Sequence, residues 1–228
     1  MNLTHNFYKK TEKQQKLYYA KVIVLLVCIL LTTCALIYAT KFYLLVCIVP
    51  FIILLFAPFL DTPKGITSGT LQYQSPLLIT QDTQKKIIIH GGTLFDYFFV
   101  LNNQFPKSSR KKIVIIGYLR GLLNLIAAYE MKRMDDRPIE GTSYIINQRT
   151  AEKIGLSPTT TNAGQYLILI LNYLVLMISY SYVNGKLSFP KLSEIKTYKG
   201  SISNIAERKQ FIQDLEKFLT QSISDATD

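Results

Sequence analysis

The chain is sparing with the residues that do chemistry. It has 3 cysteines and 2 histidines in 228 residues, and Cys28, Cys34 and Cys47 all fall inside one apolar stretch. None is left elsewhere for a disulfide or a thiolate-ligated metal, which suits a reducing compartment. The motifs of common catalytic folds are missing too: there is no G-x-x-x-x-G-K-[ST] phosphate loop, no G-x-G-x-x-G fingerprint and no G-x-S-x-G nucleophile elbow. Gly141-Thr142-Ser143 and Gly200-Ser201 do not make such an elbow, so lipase-like chemistry at the His90-Gly91-Gly92 run is excluded. Internal repeats and low-complexity linkers are also absent. The formal net charge is +11, yet no Arg-rich run or RNA-binding aromatic signature accompanies it, and nucleic acid is not an expected partner.

Charge is scarcest over residues 22–60, where Lys41 is the single charged residue and Lys21 and Asp61 stand just outside. A helix of the length available on each side of Lys41 spans roughly 28 Å, close to the hydrocarbon thickness of a bilayer. The stretch therefore reads as a two-helix transmembrane hairpin with a short tip at residues 38–43. A cleaved signal peptide is not expected, because the apolar region continues through a second segment and no small-residue cleavage site precedes a polar start. Tyr18 and Tyr19 suit the water–lipid boundary. Pro50 is expected to kink the second helix mid-way, and Pro58 with Asp61-Thr62-Pro63 to end it.

The flanks set the expected orientation. Residues 1–21 carry five lysines against one glutamate, and residues 61–165 carry thirteen Lys and Arg against eight acids. With so little positive charge at the tip, both termini are expected on the cytoplasmic side of a multi-pass protein, in keeping with a bacterial inner membrane. The lipid bilayer is the expected partner, its anionic head groups attracting the basic excess. A protein partner or a homo-oligomer is compatible with the same plan.

The expected architecture is thus a basic arm (1–21), the hairpin (22–60) and a cytoplasmic α+β domain (61–228). Strands are expected around residues 71–74 and 77–79, at 85–90 and at 143–146, with extended segments at 187–190 and 195–199. A helix over 94–101 is expected to stop at Asn102-Asn103 and Pro106, and a long one to run from Ser108 or Ser109 to about Lys132. On that long helix Gly117, Arg120, Gly121 and Asn124 gather with Ala128 on a narrow side, small except for two polar groups, that would admit another backbone. Asn147 is expected to cap a short helix stopped by Gly155, and 158–161 to form a loop. The apolar stretch 166–183 reads as a buried central helix, a third membrane span being the alternative. A last helix is expected from Asn204, with Glu207 completing a capping box.

Chemistry could live at the turn from His90 to Asp96. A strand delivers His90 into Gly91-Gly92 and then into a helix opened by Thr93, and free N–H groups at a helix start make an anion site. Outside the arm His90 is the only histidine, hence the natural acid–base candidate, with Asp96 beside it. Gly91, Gly92, Thr93 and Arg120 are the anion-binding candidates. Arg120, inside an apolar helix, needs a carboxylate such as Asp96 or Glu130, or a bound anion. The competing reading makes the glycines a plain turn and His90 a packed side chain. Asp135 and Asp136 with Glu130 and Glu140 read as solvated acids, so neither a metal nor a cofactor is expected.

Two classes of function follow. One is an accessory or regulatory membrane protein that binds a partner or anionic head groups at the inner face. The other is an enzyme acting on a phosphate-bearing or lipid-linked substrate through the His90-Gly91-Gly92-Thr93 turn.

Overall fold

A computed structural model describes residues 3–101, 105–143, 145–160 and 163–224. The chain opens with α1 (Glu12–Thr40), started by a capping box in which Thr11 and Gln14 bond each other's backbone N–H. It ends at Lys41, whose left-handed backbone (φ 57°) reverses the direction. A short 3-10 helix (Tyr43–Ile48) leads into α2 (Val49–Thr67). Both α1 and the Tyr43–Thr67 stretch are long and apolar enough to cross a membrane.

The prolines of α2 behave otherwise than expected. Pro50 sits in the first turn, where a missing N–H costs nothing, so it starts the helix rather than kinking it. Pro58 and Pro63 do not end it. The helix runs through both to Thr67 because Thr62 and Pro63 are buried against the rest of the chain.

After α2 come β1 (Gln72–Ser75), β2 (Leu78–Asp82) and β3 (Ile87–Gly91), then α3 (Leu94–Leu101), α4 (Arg110–Glu130) and β4 (Pro138–Ser143). Next are α5 (Gln148–Lys153), β5 (Ser157–Thr159), α6 (Ala163–Leu171), α7 (Tyr173–Asn184) and β6 (Lys196–Ser201). The described chain closes with α8 (Ile202–Ala206) and α9 (Lys209–Ser224). The fold is mixed α+β. The sheet has the order β1-β2-β3-β4-β6-β5, with β3 and β4 its parallel pair.

The core lies between one sheet face and α4, with α8 and α9 behind α4. The small side of α4 works as expected at Gly117, Gly121 and Asn124, while Arg120 turns instead to Glu216 of α9. A Cβ added at Gly117 would stand 2.8 Å from Leu77 Cβ, and one at Gly121 2.6 Å from Leu78 Cβ, so the helix rests directly on the β1–β2 turn. Ser75 Oγ donates to Gly117 O at 2.6 Å and Asn124 Nδ2 to Gln74 O at 2.6 Å, fixing that contact. Residues 112–116, whose Ile-Val-Ile-Ile run would also suit a strand, are helical within α4.

Several expectations need correction. The strand expected at 143–146 ends at Ser143, whose hydroxyl accepts the N–H groups of Ile145 and Ile146 and bends the chain away. Pro158 and Thr159 belong to edge strand β5 rather than a loop, while Asn102, Asn103 and Thr161 lie outside the described residues. Ser201, not Asn204, caps the helix after β6, and a turn separates α8 from α9. The 166–183 stretch is not one buried helix. It breaks at Asn172 into α6 and α7, bent by 68°. Asn172 donates its side-chain amide to Ile168 O at 2.9 Å, closing the end of α6. No residue of α6 is buried, and on α7 only Ser179 and Val183 are.

Candidate functional site

The turn after β3 is built by alternation. Ile87, Ile88 and Ile89 are β-branched and favour the strand, and the period of two sends Ile89 and Gly91 toward α4 and His90 to the opposite face. There His90 is exposed beside Thr142, in a groove of about 360 Å³ also lined by Leu71, Ile79, Gln81 and Thr93. Neighbouring atoms displace water from part of its ring and hold its pKa below the ordinary histidine value. Among the described residues its imidazole has no hydrogen-bond partner, and no carboxylate lines the groove.

The glycines have packing reasons. A Cβ at Gly91 would overlap the Tyr118 hydroxyl, which meets the Tyr97 hydroxyl at 3.2 Å. Gly92 N donates to Leu77 O at 2.8 Å and closes the turn.

Thr93 opens α3, and Asp96, three residues on, folds back over it. Its Oδ2 accepts Thr93 N at 2.6 Å and Thr93 Oγ1 at 2.8 Å, the acid half of a capping box. Oδ1 accepts the Tyr73 hydroxyl and lies 3.2 Å from His5 Nε2. Asp96 is fully buried, and a buried carboxylate needs such donors. The helix start favours its negative charge. Burial first, and then the Asp96 charge, push the Tyr73 pKa well above the ordinary tyrosine value. Tyr8, its hydroxyl buried beside Tyr73, is pushed up to about 12 by burial.

The structure thus joins Thr93 with Asp96 and keeps them apart from the other candidates. An anion at this helix start would have to displace the Asp96 carboxylate from Thr93 N. Arg120 is not paired with Asp96 or Glu130. Its guanidinium meets Glu216 at 2.7 Å and ties α4 to α9, while Glu130 takes Lys209 at 2.6 Å. Two of the other acids are also engaged. Asp136 caps α8 through Ser203 N at 3.0 Å, and Glu140 pairs with Lys86 at 2.7 Å. Among the described residues no group of three His, Cys, Asp or Glu is placed to hold a metal.

Sequence reasoning passed over His5, Tyr73, Tyr8 and Thr62. His5, in the lysine-rich arm, is buried and partners a residue 91 positions away. Thr62 Oγ1 donates to Thr93 Oγ1 at 3.2 Å, so α2 reaches the same cluster. The one available signal was His5-Asn6-Phe7-Tyr8, an aromatic patch in an otherwise polar, lysine-rich arm. Comparisons of the chain with protein-family models, with curated proteins and with solved structures give no match.

Proposed function

We propose that this chain is a non-catalytic membrane-anchored protein. The α1–α2 hairpin spans the bilayer, both termini face the cytoplasm, and the α+β domain lies on the inner surface as an accessory or regulatory component recognising anionic head groups. One observation carries the reading: the uncovered apolar surface does not stop at the hairpin. It returns on α6, where Tyr166, Leu167, Ile168, Ile170 and Leu171 are all exposed, and α7, half-buried, packs against both α2 and α6. Surface of that extent on one chain marks a membrane or protein contact.

The enzyme alternative has the His90 groove in its favour. Its acid, Asp96, is locked under four donors, and the Thr93 hydroxyl is committed to that acid. The groove therefore offers an imidazole without an activated nucleophile. Two measurements test the proposal. A reporter that works only in the cytoplasm, fused after Asp228, should be active, and activity of an external reporter there would overturn the orientation. His90→Ala should leave the protein's cellular function intact at normal protein level, and loss of function would favour the enzyme.

A further inference from the structure

α4 begins against the usual electrostatic preference. Helix starts favour acidic side chains, yet this one reads Arg110-Lys111-Lys112 and has no acid in its first turn. Arg110 is only 8 % exposed. Its guanidinium stacks on the Tyr182 ring at 4.5 Å and donates from Nη1 to Tyr182 O at 3.2 Å. Its Nε is buried and has no hydrogen-bond partner among the described residues. Among the described residues no carboxylate lies within ion-pair distance of Arg110, Lys107 or Lys186. A buried guanidinium without a counter-charge is costly, and its planar fork fits a phosphate.

These three cations line one groove of about 630 Å³ between the start of α4 and the end of α7, and the rest of its wall is mainly apolar: Phe98, Met177, Ile178, Tyr182 and Leu187. Gly185 holds the two sides together. Its backbone is left-handed (φ +69°), and a Cβ there would stand 2.5 Å from Lys107 Cβ, so only glycine lets the basic segment close on α7. The groove also lies at the level where α2 leaves its apolar stretch. The Phe98 ring is 6.5 Å from that of Phe59, just before Asp61, the first charge after Lys41. Phe98, Leu187 and nearby Phe189 are 44 %, 71 % and 61 % exposed, an apolar rim around a cationic floor.

We propose that this groove binds one anionic phospholipid, its phosphodiester on Arg110, Lys107 and Lys186 and an acyl chain along Phe98, Met177 and Leu187. The phosphate supplies the counter-charge that the Arg110 guanidinium and the basic start of α4 lack. The proposal rests on the membrane-anchored reading and adds the lipid class and its seat. A free phosphate shares the head-group chemistry but leaves the apolar wall empty.

The test is native mass spectrometry of the full chain in non-ionic detergent with added phosphatidylglycerol, phosphatidylcholine or inorganic phosphate. One phosphatidylglycerol should be retained in at least about tenfold preference over phosphatidylcholine, and inorganic phosphate at equal concentration should not displace it. Lys107→Gln with Lys186→Gln changes two exposed side chains, keeps the melting temperature and should lower that retention about tenfold. Arg110→Gln should abolish it. Equal retention of both lipids, displacement by inorganic phosphate, or unchanged retention in the double lysine variant each overturns the lipid site. Alkaline carbonate extraction of membranes separates this failure from that of the anchor. A chain that stays in the membrane while failing the lipid test loses only the site, and a chain released by carbonate loses both.

Discussion

Asp96 shows how a single side chain can decide a junction. Its carboxylate gathers Thr93 of α3, Tyr73 of β1 and His5 of the arm, and through Thr93 it reaches Thr62 of α2. Removing one donor costs less than removing the charge they serve. Tyr73→Phe should therefore destabilise by about 1.5–3 kcal/mol, the loss of a hydrogen bond to an ionised group. Asp96→Ala, which leaves four donors unpaired, one buried and three part-buried, should cost about 3–5 kcal/mol. Chemical unfolding of the detergent-solubilised chain ranks the two, and equal losses would mean that the carboxylate is not the hub. A second residue-scale effect is visible in acid. Hydrogen bonding to Lys86 comes first among the influences that hold the Glu140 pKa below the usual glutamate value. A depressed carboxylate stabilises the fold above its unfolded pKa of about 4.3, and the contribution drains away as pH falls through the lower folded value. Stability should fall below about pH 5 more steeply in the wild type than in Glu140→Gln, and parallel acid limbs would rule this contribution out.

At the scale of elements the α4–sheet contact is the most exacting. A methyl at Gly121 cannot be absorbed, because the atoms it meets belong to Leu78 on β2. Gly121→Ala should cost about 1–3 kcal/mol through overpacking. Leu78→Ala in the same chain should recover part of that loss, since residues in contact couple in a double-mutant cycle. Additive losses would place the strain elsewhere. This contact was legible beforehand from the spacing of Gly117, Gly121 and Asn124, as were α3, β3 and the Asn147 cap of α5, because each is written in neighbouring residues. What escaped was set by distant partners. Pro58 and Pro63 stay helical because Thr62 and Pro63 are buried against another part of the chain, which no local rule for proline registers. Gln165, Asn172 and Ser179 recur as one seam, yet they serve three ends: Gln165 reaches Glu140 and Thr197, Asn172 closes α6, and Ser179 is buried. Of the candidate site, the turn and its helix cap could be read in advance. The His5 contact could not, since it spans most of the distance from the arm to α3.

On the scale of the whole molecule, α3 is the keystone between the apolar hairpin and the sheet. All its residues except Phe98 are buried. The arm closes over it: Phe7, fully buried, has ring centroids 5.1 Å from Phe95, 5.3 Å from Phe99 and 5.3 Å from Tyr18, and Asn6 N donates to Phe99 O at 3.3 Å. Polar residues surround this patch, and Lys9 and Lys10 are exposed. Truncating a buried phenylalanine costs about 3–5 kcal/mol in a core. Here the ring belongs to a small cluster separate from the main core, so the loss should fall first on a local opening that frees the arm. Phe7→Ala should therefore speed trypsin cleavage at Lys9 and Lys10 by more than tenfold, an energetic difference well above the roughly 1.4 kcal/mol that a factor of ten requires. Cleavage within α4 and the strands should stay slow. Fast cleavage everywhere would show that the arm and the sheet unfold as one unit. Unchanged cleavage at the two lysines would show that the Phe7 ring does not hold the arm, and that the Asp96–His5 contact and the Asn6–Phe99 hydrogen bond hold it to α3 instead.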